Sequence, residues 1–226
     1  MIKIILETSH THVIIGLSRN ENLIDHITYP HNNNLSGLLS ISIRIFLKKH
    51  DLSPHQLAAI CIGIGPGSYT GTRVSVAIAK GLAIGINIPI IPFCSVLAYI
   101  PENVTGHILF TMPTKQSAPF VISIDASEFT YQQITYIPPE TAAENQLNFS
   151  SGKILAHNID NLIKSHPSFS DHSILPSSIS LKKLCVYLHL LYLSRSTTPK
   201  SNLETIEVLY LNYVYIPSIS LESLRT

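Results

Sequence analysis

An α/β fold in two lobes is what this sequence predicts, on three observations. Apolar residues over the first hundred positions switch between the strand period and the helix period, giving strand, strand, strand, helix, strand, helix. After Pro101 a second series of strands begins and partly repeats that order. The 226 residues exceed the roughly 100–150 of a common single domain. At 45% hydrophobic they can bury a sizeable core, which rules out disorder. The boundary is placed at residue 100, with an N-terminal α/β lobe over 1–100 and a C-terminal lobe over 101–226.

Ile2–Leu6 and Val13–Leu17 read as apolar runs joined by the polar hairpin Glu7-Thr8-Ser9-His10-Thr11-His12, and Leu23–Thr28 as a third strand. From Leu35 to His50 the period is helical. Leu35, Leu38, Leu39, Ser42, Ile45 and Phe46 recur on one side, with Gly37, Ser40, Arg44 and Lys48 as the polar stripe. Leu52-Ser53-Pro54 ends that helix. Ala58–Ile64 reads as a short buried strand, and Gly65-Pro66-Gly67-Ser68-Tyr69-Thr70-Gly71 as a turn opening a helix from Thr72 to Ile86. Pro89 to Pro101 holds a short strand and a short helix. In the second lobe, Gly106–Met112, Phe120–Asp125 and Thr130–Ile137 are expected as strands. Ala156–Lys164 and Ser178–Ser194 are expected as helices, the second opening with Pro176 and a serine cap. Leu203–Ile216 is apolar and tyrosine-rich with neither clean period.

Composition narrows the function. Fifteen Lys and Arg against fourteen Asp and Glu leave +1, too little for an electrostatic footprint on nucleic acid or an anionic membrane. Only 13% of residues are charged, against roughly 25% in an average soluble domain, so part of the surface is expected to be covered by a partner. The most apolar stretch, Val74 to Cys94, is interrupted by Lys80, Asn87, Pro89 and Pro92 and is too short to span a bilayer. Glu7 arrives before a signal-peptide core could form. Cys61, Cys94 and Cys185 are far apart and odd in number, which predicts a reducing cytoplasm rather than a disulfide framework.

Three groups of residues carry candidate chemistry. Gly63, Gly65, Gly67 and Gly71 lie between a strand and a helix, where free N–H groups can hold an anion. Their spacing matches neither a P-loop nor a Rossmann turn, and glycines there serve equally for close strand–helix packing. Glu7, Thr8 and Ser9, with Gly16 giving room on the returning strand, are candidates for a phosphate-binding hairpin, against the ordinary use of turn hydroxyls as backbone partners. Arg73, read in the first turn of its helix, faces the positive end of the macrodipole. It is expected to find a carboxylate in the first lobe, Glu7 being one candidate, or else a contact on a partner.

The Thr72–Ile86 helix is apolar on nearly every side, with Ala77, Gly81 and Gly85 aligned at four-residue spacing. Leu35, Leu38, Leu39, Ser42 and Phe46 make an apolar arc wider than one sheet contact needs, so the two helices together are expected to form a partner face. Eleven histidines offer no i, i+4 pair on a helix and the cysteines are isolated, so neither a metal nor a cofactor is expected. No G-x-S-x-G elbow supports a serine hydrolase.

The assembled residues resemble the glycoprotease-like TsaB (YeaZ) family, a subunit of the bacterial machinery that makes threonylcarbamoyladenosine in tRNA. The match runs through Gly65-Pro66-Gly67-Ser68-Tyr69-Thr70-Gly71-Thr72-Arg73, continues through Ala79-Lys80-Gly81-Leu82-Ala83 and Pro89, and is joined by His31, Asp125-Ala126, Glu128-Phe129, Pro176-Ser177 and Val208-Leu209-Tyr210-Leu211. The resemblance implies a two-lobed, actin-like ATPase (ribonuclease H-like) fold, with the final segment returning to the first lobe. It further implies a non-catalytic cytoplasmic subunit that binds and activates the transferase TsaD, with the ATPase TsaE joining and tRNA met only through the complex. Self-association stays open. TsaD holds its metal through an H-x-x-x-H helix, and this sequence has no such pair. Here the opening strand ends in Glu7 where the family usually carries Asp, and the segment after Asp125-Ala126 is shortened, which argues against nucleotide binding by this subunit alone. The competing expectation is a stand-alone ATP-using kinase or acyl transferase of the same fold, with a peptidase a distant third.

Overall fold

The structure is a computed structural model that describes residues 1–31, 34–112, 120–127, 130–136, 153–156, 160 and 174–195. Its described residues divide into two compact units, one formed by residues 1–98 with residues 181–195, the other drawn from residues 99–180.

The first unit is built on five strands: β1 (Ile2–Glu7), β2 (His12–Arg19), β3 (Asn22–Pro30), β4 (Leu57–Gly63) and β5 (Ile90–Phe93), in the order β3-β2-β1-β4-β5. The first three form an antiparallel meander, while β4 pairs parallel to β1 and β5 parallel to β4. Parallel neighbours need crossovers, and α1 (Leu35–Lys49) and α2 (Tyr69–Ile86) supply them. A third helix, α3 (Lys182–Arg195), comes from the far end of the described chain and packs against β3 and β5.

Strand alternation divides the residues of this sheet between two sides. Ile4, Leu6, Val13, Ile15, Leu17, Ile60, Ile62 and Ile90 form one cluster with Leu35, Leu39, Ile43, Phe46 and Leu47 of α1 and Val76, Ala79 and Ala83 of α2. On the opposite side Gly16 leaves space that the Leu181 side chain fills, 3.0 Å from where a Cβ would stand. Outside the core, Asp25 on β3 ties down the end of α1, accepting from Lys49 Nζ at 2.7 Å and lying 2.9 Å from His50 Nε2. The Lys49 hydrogen bond is the main reason that the Asp25 carboxyl is held down at about 2.

The second unit repeats this plan. Strands β6 (His107–Met112), β7 (Phe120–Asp125), β8 (Thr130–Tyr136), β9 (Lys153–Ala156) and β10 (Ile174–Pro176) are ordered β10-β9-β6-β7-β8. Again an antiparallel meander is extended by two parallel strands.

Two expectations are corrected here. Ala156, read as the start of a helix, ends strand β9, and Lys164 lies outside the described residues. Pro176 closes strand β10 instead of opening a helix; its missing N–H is tolerated at a sheet edge. Ser177 N then donates to Ala156 O and Ser178 N to Tyr99 O, so the chain stays extended and α3 starts only at Lys182. The Asn32-Asn33 pair, Glu128-Phe129 and the tail Leu203–Ile216 also lie outside the described residues.

Candidate functional site

The helix α2 begins three residues earlier than its period suggests, because Ser68 caps it: the Ser68 hydroxyl accepts from Gly71 N at 3.1 Å. Gly71 therefore sits inside the first turn. A Cβ there would stand 2.3 Å from Thr8 O and 2.7 Å from His31 Nε2, so only glycine fits. The loop before it is strapped from two sides. Gly65 N donates to Ser95 Oγ at 2.8 Å and Ser95 N returns a bond to Gly65 O at 2.8 Å. Ser68 N donates to Ser9 O, and a Cβ at Gly67 would meet that same carbonyl.

The β1–β2 turn under this loop is buried and internally bonded. Glu7 Oε1 accepts from Ser9 N at 2.6 Å and from the Ser9 hydroxyl, which also lies 2.6 Å from His10 Nδ1. Thr8 Oγ1 donates to Gly71 O at 2.9 Å and lies 2.8 Å from Ser75 Oγ. Glu7 Oε2 has no hydrogen-bond partner and presses on Gly63, where a Cβ would come within 1.8 Å of it. Glu7, Thr8, Ser9 and Gly16 thus form no open phosphate cradle: the hydroxyls brace the Gly65–Gly71 loop, and Leu181 occupies the room at Gly16.

Arg73 is corrected as well. With α2 starting at Tyr69 it falls in the second turn, beyond the free N–H groups that made its place look unfavourable. Its guanidinium lies 3.8 Å over the Tyr69 ring one turn back, an exposed cation–π contact, while Glu7 faces Ser9 and His10.

The expected partner face divides in two. Leu35, Leu39 and Phe46 belong to the core between α1 and the sheet, so no partner can reach them. Leu38 and Ser42 are half-buried, Ser42 Oγ accepting from Tyr29 OH at 3.1 Å. Ala77, Gly81 and Gly85 are exposed, with nothing within 4 Å of a Cβ at either glycine. Beside them stand apolar side chains that the sequence reading left out or assigned inward: Ile41 at 46%, Ile45 at 61% and Ile84 at 67% exposure. Ile41 and Ile45, four apart, continue the wide apolar arc, and that width was their signal.

A second overlooked group lies on the opposite side of the sheet. Lys3 is fully buried; its Nζ donates to Asn20 O at 2.6 Å and lies 3.4 Å from His189 Nδ1 on α3. Burial lowers the pKa of both groups, and for His189 the Lys3 charge is the next cause. Burial also pushes the Cys94 thiol up to about 12 and Cys185 up to about 11, which leaves both neutral and poor nucleophiles. Among the described residues no cluster of three His, Cys, Asp or Glu could hold a metal ion, and no helix is long and apolar enough to cross a membrane.

Comparison with known proteins bears on this arrangement. A family model described as TsaD, tRNA N6-adenosine threonylcarbamoyltransferase, matches residues 31–136. The chain is 36% identical over 86 residues to the tRNA threonylcarbamoyladenosine biosynthesis protein TsaB of Bacillus subtilis, a stretch covering 38% of this chain and 37% of that one. It is 34% identical over 90 residues to the Haemophilus influenzae protein of the same name, covering 39% and 35%. The structure of YeaZ from Pseudomonas aeruginosa superposes with a TM-score of 0.70 at 14% identity, over 92% of this chain and 99% of that one. Over these stretches the chain is similar to proteins named TsaB, and over nearly its whole length its fold is similar to that of YeaZ. The aligned stretch spans little more than a third of the curated TsaB relatives, 37% and 35% of their lengths. The YeaZ likeness extends over nearly the whole chain and shows the fold, an α/β architecture of two units each built on a five-stranded sheet.

Proposed function

We propose that this chain is a TsaB-type protein that acts in the synthesis of threonylcarbamoyladenosine in tRNA as a non-catalytic cytoplasmic subunit, binding and activating a TsaD-type paralogue. The observation that carries this reading is the outer surface of α1 and α2, where Ile41, Ile45 and Ile84 are left to solvent beside the open small residues Ala77, Gly81 and Gly85. Large exposed aliphatics grouped on adjacent helices mark a protein contact, and small residues let another helix come close. On this reading a TsaE-type ATPase joins the assembly and tRNA is engaged through the complex. The stand-alone kinase or acyl transferase alternative needs open phosphate loops, whereas the hydroxyls of Thr8 and Ser9 are committed within the fold.

The test is reconstitution. Modified tRNA should form when the TsaD-type paralogue, a TsaE-type ATPase and this chain are combined, and formation should drop sharply when this chain is omitted. Gly81→Leu should fold normally, since the space around Gly81 is empty in the free chain, yet lose co-purification with the paralogue. Full activity without this chain, or ATP turnover by this chain alone, would overturn the proposal.

A further inference from the structure

We infer that α3 is held on the first sheet by a proton-operated latch: Lys3 of β1 and His189 of α3 meet inside the fold, and a second proton on that pair releases α3 while the α1–α2 side stays packed. Leu181, just before α3, is followed at four-residue spacing by Cys185 and His189. Leu181 fills the space at Gly16, Cys185 lies beside Ser18, and His189 reaches Lys3, which pairs with Ser18 across β1 and β2. The contact is thus apolar at one end and polar at the other.

Lys3 is fully enclosed and His189 is 9% exposed. An ammonium can only donate, so the Nδ1 atom 3.4 Å from Lys3 Nζ accepts, and the imidazole carries its proton on Nε2. A further proton on Nδ1 would set donor against donor and put two positive charges in an enclosed site. Moving the Lys3 proton to His189 leaves the sum unchanged: the docked pair holds one charge and rejects a second. Of the other charges acting on His189, Glu21 favours the imidazolium, while the Met1 amino group, held by Asn20 Oδ1 at 2.8 Å, opposes it. Burial keeps the Cys185 thiol neutral, and no carboxylate forms an ion pair with Lys3 or His189 among the described residues. Of the strands that α3 packs against, β5 has no titratable side chain, and β3 brings His26, exposed, to this side, while Asp25 and Tyr29 turn to α1.

Once α3 lifts, His189 meets water and takes a proton at its ordinary value of about 6.5, so falling pH favours the open form until the docked imidazole is protonated too. The lowered pKa of both groups in the fold agrees with that direction. The buried residues of the α1–α2 side include no titratable group, so acid gives that side no cause to open with α3.

The test labels the buried thiols of the full chain, Cys61, Cys94 and Cys185, with dithiodipyridine, which reacts in mild acid as well as at neutral pH, and locates the label by peptide mass. From pH 7.5 to 5.5 the labelling rate of Cys185, relative to glutathione labelled in parallel, should rise up to about tenfold, as linkage to one proton gives, while hydrogen exchange shows the amides of α1 and β1 still protected. His189→Gln, which keeps an acceptor for Lys3 but cannot titrate, should label at a relative rate independent of pH. Lys3→Met, which removes the ammonium, should flatten the rise to about threefold or less. A pH-independent wild type, a rise of wild-type size in either variant, or loss of α1 protection together with Cys185 labelling would overturn the latch. If Lys3→Met fails to fold at pH 7.5, His189→Gln decides alone.

Discussion

The two sides of the first sheet are held by different physics. Toward α1 and α2 the buried contacts are aliphatic and aromatic, with Ile4, Leu6, Ile15, Ile60 and Ile62 packed on Leu39, Ile43 and Phe46. On the opposite side the same strands present Lys3, Glu7 and Ser18, fully buried, and there α3 brings His189 to Lys3 and buries its own Leu184, Cys185 and Leu188. The buried contacts of the first side depend on volume and carry no titratable group. The second depends on who holds a proton, because a buried polar group is stable only while its partner is in the matching state.

Phe46→Ala should give the largest effect. It empties a fully enclosed site between α1 and the sheet and should cost about 3–5 kcal/mol in urea unfolding. A loss below about 1 kcal/mol would mean that this side is far less tightly packed than its burial indicates. Next comes Gly63→Ala, which drives a methyl into Glu7 Oε2. Because Ser9 pins that carboxylate, the cost should be about 1–3 kcal/mol, and Glu7→Ser in the same chain should recover much of it, a non-additivity that a double-mutant cycle would measure.

The pH dependence is smaller and separates the two sides most directly. His189 has a pKa below its ordinary value in the fold, so as pH falls through about 6.5 the unfolded chain takes up the proton first and stability declines. That decline should end once pH drops below the lowered pKa of His189. The melting temperature should fall between pH 7.5 and 5.5 in the wild type and fall less in His189→Gln. Equal slopes in the two proteins would remove His189 from the account. Gly81→Leu should have the smallest effect on the free chain, a gain of about 0.5–1 kcal/mol from replacing glycine in an open helical position. A destabilised Gly81→Leu would show that its surroundings are not open, and with that the partner face would lose a central element.

Much of the first unit was legible because its signals are local. The meander, α1, β4 and α2 each repeat their own period for long enough to be read, and the Gly65–Arg73 run carried the resemblance to TsaB proteins. Where the period is too brief, the reading failed: β9 has four residues and β10 three, and Ala156, at the end of β9, was taken for the start of a helix.

By itself the sequence determined the element types of the first unit, the place of the glycine-rich turn and the presence of more apolar surface on two helices than one sheet can cover. Only the tertiary structure decided which half of that surface is core, because periodicity defines an arc without saying which part of it meets the sheet. Hence Leu39 and Phe46 lie inside while Ile45 faces out. The surroundings of Lys3 and Glu7 were likewise set by residues distant in the chain. His189 lies 186 positions from Lys3, and Gly63 comes against the Glu7 carboxylate from a separate strand. Such pairings arise only when strands and helices converge, so no local spacing records them.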